Sequence, residues 1–388
     1  MRRLALLLAV SCATVAPLTA QSLPRALETG EMLFARGDYA AAEEAFTREL
    51  NGPAARPTTL YNRALARHNQ QKNATAKRDL DAFLLAKPHS PPALSLRAAL
   101  HLQLGDPRAA VSDADDALAL DASDMDARLT RARANVALGR DDQAAADFTR
   151  LLPDEAEAAN AGALLARGDW HAARNRLPEA LADFTRATQL VPADPDAHFK
   201  LGSAHFRSLE FAPALASLQR AMELTPRVGA LPRTAGLVYY AQGNFAAGAV
   251  EFRRAIELDP AGSSYAVLML WLSERRLGQT DDLPPPATTV SPWLALLQAF
   301  LRGEAGEDDL FLGAQNLTPA EDRAGRLCEA HFFSGSLLLL RGELRAAHYA
   351  FQQALAAYLP AYAEYTLARA ELQRMPLPPE KPARPRRH

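Results

Sequence analysis

The chain has 388 residues, 48% hydrophobic and 23% charged, a usage that supports a sizeable core and excludes a largely disordered chain. Its formal charge of −2 supplies no field to draw in nucleic acid or an anionic membrane. Beyond Cys12, which is either removed with an N-terminal leader or lipid-modified, the chain has one further cysteine, Cys328, which excludes an internal disulfide and a cysteine zinc cluster.

Met1-Arg2-Arg3 is a short positive stretch, residues 4–16 are apolar, and Pro17-Leu18-Thr19-Ala20 ends in a small residue. This is the layout of a secretory signal peptide over residues 1–20. The apolar run is too short to span a bilayer as a mature helix, so an exported, periplasmic chain is expected. Cys12 carries two readings. It is a small residue inside the apolar run, or, in Ala9-Val10-Ser11-Cys12, the lipidation site of a lipobox-like sequence. Membrane association is expected only in the second case.

From residue 23 a unit of about 34 residues recurs. The first copy, 23–56, carries Gly30, Gly37-Asp38-Tyr39, Ala42 and Phe46. Residues 57–90 keep Ala64, Ala76 and Pro88; residues 91–124 keep Gly105-Asp106, Ala110 and Ala117. The copy from 125 has Gly139, Ala144 and Phe148 and stops early at Leu152-Pro153. Residues 161–194 have Ala180, Phe184, Ala187 and Pro192, with Asn175-Arg176-Leu177 where the turn glycine is missing. The sharpest copies follow without a gap, 195–228 (Gly202, Phe211, Ala214, Leu218, Ala221, Pro226) and 229–262 (Gly236, Gly243-Asn244-Phe245, Gly248, Phe252, Ala255, Pro260).

These seven units over 23–262 share one grammar: a helix A with a small residue, a glycine turn, and a helix B with an alanine, a bulky residue four later and an alanine three beyond. The steps of four and three put the last three on one helical face. Small residues let helices A and B cross closely, and the bulky residue is expected to fill the space between one pair and the next. Proline closes the unit because it cannot continue helix B.

The period then breaks over 263–327. Residues 264–277 read as a helix A, but Gln279-Thr280-Asp281-Asp282 and the prolines 284–286 stand where helix B belongs, and two shorter amphipathic pieces follow. An eighth unit occupies 328–361, with Gly335, Gly342-Glu343-Leu344, Ala347, Phe351 and Ala354. A helix over 362–375 is expected to cap the array with a polar outer face. The basic, proline-rich tail 376–388 is expected to be disordered.

The repeated positions resemble the tetratricopeptide repeat (TPR), which implies an all-α solenoid: a right-handed superhelix of helix-turn-helix pairs whose concave face, lined by A helices, holds a peptide or partner protein. On that resemblance the groove residues are Arg133, Val136, Phe199, Ser203, Phe206, Arg207, Arg233, Leu237 and Tyr240. Aromatic and arginine side chains are frequent interface anchors, although Phe199 and Phe206 are equally read as packing on neighbouring A helices. Residues 263–373, with SSYAVLMLWLSERRLG, SPWLALLQAFLRGEAGEDDLF and CEAHFFSGSLLLLRGELRAAHYAFQQAL, are similar to the NlpI lipoproteins of Gram-negative bacteria. That similarity implies an outer-membrane-associated adaptor for peptidoglycan-cleaving enzymes and proteases.

No phosphate-binding loop, HExxH, GxSxG or Cys/His zinc spacing occurs, so no enzyme, no cofactor and no metal are expected. Cys328 and His331, one turn apart, read as a helix face before they read as a metal pair. His198 and His205 are expected to line or flank the groove, and the acidic pairs Asp115-Asp116, Asp141-Asp142 and Asp308-Asp309 to be solvated. The expected function is a non-enzymatic periplasmic scaffold. The alternative is an assembly or chaperone component of a secretion, pilus or polysaccharide-export machine.

Overall fold

The computed structural model describes residues 29–53, 55–152, 160–279, 282–283, 290–316 and 322–376. The leader 1–20, Cys12 and the tail from 377 lie outside them. All the regular structure among the described residues is helical, and the chain divides into two compact units, 1–147 and 148–388.

The first unit contains α1 (Gly30–Arg36), α2 (Tyr39–Leu50), α3 (Pro57–Asn69), α4 (Asn73–Ala86), α5 (Pro91–Gln103), α6 (Pro107–Leu120), α7 (Met125–Ala137) and the start of α8 (Asp141–Leu151). Up to α15, odd-numbered helices are the A helices and even-numbered ones the B helices; α18 and α19 are the A and B helices of the last unit. The second unit continues with α9 (Ala161–Ala173), α10 (Leu177–Leu190), α11 (Pro195–Arg207), α12 (Phe211–Leu224), α13 (Ala230–Gln242), α14 (Phe245–Leu258) and α15 (Ser264–Arg276). Where α15 should meet a helix B, α16 (Pro292–Arg302) and α17 (Glu307–Asn316) take its place. Then come α18 (Arg323–Leu340), α19 (Leu344–Ala356) and α20 (Ala363–Arg374).

The small residue of helix A and the bulky residue of helix B meet within a single repeat. A Cβ built on Gly30 would lie 2.5 Å from the Phe46 ring; on Gly168, 2.5 Å from Phe184; on Gly236, 2.6 Å from Phe252. The expectation that the bulky residue fills the space between repeats is met by Phe148, whose ring lies 5.7 Å from Trp170 of the next repeat, but the bulky ring also packs within its own repeat. In the three repeats with Gly30, Gly168 and Gly236 the ring lies against its own helix A, sixteen residues on in the sequence, where a Cβ would clash with it; the fourth repeat has Ala132 at the same step from the buried Phe148.

The turn between A and B is equally local. Gly37 and Gly243 hold a left-handed backbone (φ 87° and 84°), and the next residue caps helix B, with Asp38 accepting from Ala41 N at 3.2 Å and Asn244 from Ala247 N at 3.2 Å. Where glycine is missing the conformation persists at a cost: Gln71, Asn175 and Leu209 adopt φ of 61°, 57° and 62°.

A second pairing with the same sixteen-residue step lies beside the first. Arg63 grips Asp79 with two hydrogen bonds (2.9 and 2.7 Å), Arg97 grips Asp113 (2.7 and 2.7 Å), Arg131 grips Asp147 (2.9 and 2.6 Å) and Arg167 grips Asp183 (2.9 and 2.6 Å). The four aspartates are buried. In the first unit the same guanidiniums reach the preceding repeat, Arg97 to Asp81 at 3.1 Å and Arg131 to Asp115 at 2.6 Å. Asp115 is therefore a pairing residue, against the expectation that its acidic pair is merely solvated. A bidentate guanidinium bridging A, B and the previous B fixes the stacking as well as the hairpin.

Helix α20 is the largest departure from expectation. It packs on α19 of the last repeat, as a capping helix would, but it also reaches back along the array. Glu364, Thr366, Leu367, Ala368, Ala370 and Glu371 are all buried, and the helix packs against α11, α13, α18 and α19.

Candidate helix-binding groove

In the second unit α20 lies across the C-terminal ends of A helices. The last carbonyls of a helix have no intrahelical donor and carry partial negative charge, so they attract guanidinium groups. Arg207, at the end of α11, donates to Ala172 O at the end of α9 (2.8 Å). Arg369 of α20 donates to Arg207 O (3.0 Å), and Arg374 to Tyr240 O (2.8 Å) and to Ala241 O. Arg374 also shares Glu371 with Arg276 of α15, at 2.7 and 2.9 Å. Both of these arginines stand over the Phe245 ring. At the other end of α20, Tyr265 of α15 donates to Glu364.

This arrangement decides the fate of the expected groove residues. Tyr240 is fully buried, edge-on to Phe245 and Phe332, with its backbone carbonyl held by Arg374. Phe206 and Leu237 are buried in the same core as Leu367 and Ala368 of α20. An open surface at Tyr240, Phe206 and Leu237 is thus corrected: it is covered by the chain's own last helix, which packs on α11 and α13. Phe199 is half-buried and packed on that core; Ser203, Arg207 and Arg233 are half-buried. Arg133 and Val136 belong to α7 in the first unit, where Arg133 is exposed and Val136 half-buried. His198 bonds to Pro192 O (3.1 Å) and His205 to Glu210 (2.6 Å), so each serves its own helix end.

Beneath α20 lies a buried carboxylate pair that the sequence did not signal. Burial, and then the charge of Glu329, push Glu364 up to about 7. Burial also raises Glu329, against the opposing pull of its bonds from Trp293 Nε1 (2.6 Å) and Arg326 (2.8 Å). Two carboxylates, one arginine and two neutral donors make a network that is comfortable with a proton retained. Cys328 is buried next to it and its thiol is pushed up to about 12, which leaves it in the protonated form at neutral pH. The ring of His331 lies tilted against Phe311 with centroids 4.6 Å apart. Among the described residues no three potential metal ligands converge.

A family profile described as tetratricopeptide repeat matches residues 95–163, and one described as TPR repeat matches residues 168–208. The chain is a tetratricopeptide-repeat protein. Among solved structures, PilW, a type IV pilus biogenesis factor, is 17% identical over 55% of this chain and 98% of its own, with a TM-score of 0.50. The human IFIT1 dimer with PPP-AAAA is 13% identical over 85% and 81%, with a TM-score of 0.50. A tetratricopeptide repeat protein from Parabacteroides merdae is 19% identical over 63% and 95%, with a TM-score of 0.49. At such identities the likeness is one of fold. No curated protein matches the chain. The Arg–Asp pairs and the α20 contacts are what sequence reasoning missed. The former left a signal, an arginine and an aspartate sixteen apart recurring at 63/79, 97/113, 131/147 and 167/183. The latter joins residues more than a hundred positions apart and left none.

Proposed function

We propose that the protein is a non-catalytic adaptor of the cell envelope that binds other proteins through the A-helix face of its first unit. The observation that carries this reading is α20: in the second unit the A-helix row already holds a helix, by apolar burial and by arginines on helix-end carbonyls. The same kind of row is built by α3, α5 and α7 in the first unit, where Arg133 stands exposed. The leader-like residues 1–20 and the lipoprotein-like stretch 263–373 support an envelope location and a role in gathering peptidoglycan-processing enzymes or proteases.

The test is affinity recovery of partners from envelope extract by the full chain, compared with R133E/V136D. The reading expects recovery to fall at least several-fold while circular dichroism stays unchanged. Undiminished recovery would place the interface elsewhere. A second reading, an assembly component of a pilus or secretion machine, keeps its standing through the fold shared with PilW. Recovery of pilus or secretion subunits in place of cell-wall enzymes would select it. Turnover of peptidoglycan by the purified chain alone would contradict both.

A further inference from the structure

A cavity of about 470 Å³ opens at the C-terminal half of α15, where the repeat period is interrupted. Its volume falls in the range of small-molecule sites. Leu283, Leu301 and the indole of Trp271 give it an apolar lining, and all three are buried. Trp271 and Arg275 stand one helical turn apart on the same face, with the guanidinium 5.0 Å from the indole centroid. The Trp271 Nε1–H, in a side chain only 7% exposed, has no acceptor, and the buried Arg275 Nε–H has none either. Indole is a donor only, and a guanidinium is a donor only, so what both lack is an acceptor. Leaving such buried donors unmet is costly.

The neighbouring charges do not meet that need. Glu274 is taken by Arg253 (2.6 Å) and Arg276 by Glu371 (2.9 Å), while Arg275 between them has no carboxylate partner among the described residues. At the cavity wall Glu304 pairs with Arg302 at 2.5 Å, and Asp282 is exposed at the rim. We propose that this cavity binds a carboxylate carried on a flat or branched apolar group, the carboxylate between the Trp271 indole and the Arg275 guanidinium and the apolar group against Leu283 and Leu301. An apolar peptide C-terminus and a small organic acid share that chemistry. The site is separate from the first-unit face of the proposed adaptor role, and its test is independent of that role.

The full chain labelled with 5-fluorotryptophan gives one fluorine resonance for each of Trp170, Trp271 and Trp293, and W271F assigns the second. Should W271F not fold, W170F and W293F assign it by elimination. Titration with benzoate, and with the tripeptide Ala-Ala-Leu bearing a free C-terminus, is expected to move the Trp271 resonance saturably. Benzamide and the tripeptide amide are expected to bind at least tenfold more weakly, and R275Q to weaken the carboxylates at least tenfold. Tighter binding of the tripeptide assigns the site to peptide ends; tighter binding of benzoate assigns it to small acids. No saturable movement at millimolar probe, equal movement with the amides, or unchanged affinity in R275Q would each overturn the proposal.

Discussion

Asp113 shows how much a single side chain contributes in this repeat. It is buried, and it takes both arms of the Arg97 fork. Removing one partner of such a pair strands the other charge, whereas replacing both by apolar groups of similar size does not. D113A is therefore expected to cost about 2–4 kcal/mol, and R97M/D113L to recover most of the loss, read by denaturant melts of the four members of the cycle. Gln71 carries the opposite expectation. It is exposed and held at φ 61°, where a side chain is penalised, so Q71G should stabilise by about 0.5–1 kcal/mol in the same assay. Glu364 sets a pH dependence. Its folded value, about 7, exceeds the ordinary 4.5, so its contribution is complete below pH 4.5 and is lost as pH rises to about 7. Stability should fall across that window, and E364Q, which keeps an acceptor for Tyr265, should flatten the decline. A melting temperature equally pH-dependent in E364Q would assign the effect to other groups.

At the scale of elements, the hairpin was legible in the sequence because its determinants are local. Glycine against phenylalanine sixteen residues on, glycine then asparagine at the turn, and proline at the close are all read within one repeat. The bulky residue was only half placed: Phe148 does reach Trp170 of the next repeat, but the packing on its own helix A was not foreseen. Spacing alone puts Phe252 on one face of α14 and does not say whether Gly236 of its own repeat or the next repeat receives the ring. The Arg–Asp pairs were legible in principle, but charged residues in a repetitive chain read first as solvent-facing. The docking of α20 was not legible at all. Its buried Glu364, Thr366 and Glu371 give it the polar profile of a capping helix, and only the fold brings α15 and α18 against those groups. Arg374→Ala tests that docking. It removes the donors to the Tyr240 and Ala241 carbonyls and should cost about 1–3 kcal/mol, with amide exchange accelerated most in α20. Exchange that rises uniformly through the second unit would show that α20 opens only with the whole unit.

For the whole molecule, the two units share one kind of surface, and the proposed adaptor role assigns partner binding to the first. In the second, the A-helix row is closed by the chain's own last helix, and the interruption of the period supplies α16 and α17, which pack around α18. In the first, no described helix beyond α8 belongs to the unit, and its A helices are tied to their B helices by arginine–aspartate pairs. On the proposed adaptor role, partners meet the first unit's A-helix face and not the second's. A photo-crosslinking residue, benzoylphenylalanine, placed at position 133 or at position 203 of the full chain in intact cells tests it directly. Adducts from position 133, with little or none from position 203 of α11, the helix on which α20 packs, are the predicted result. Adducts from 203 with none from 133 would place the interface on the second unit and overturn the proposed role of the first.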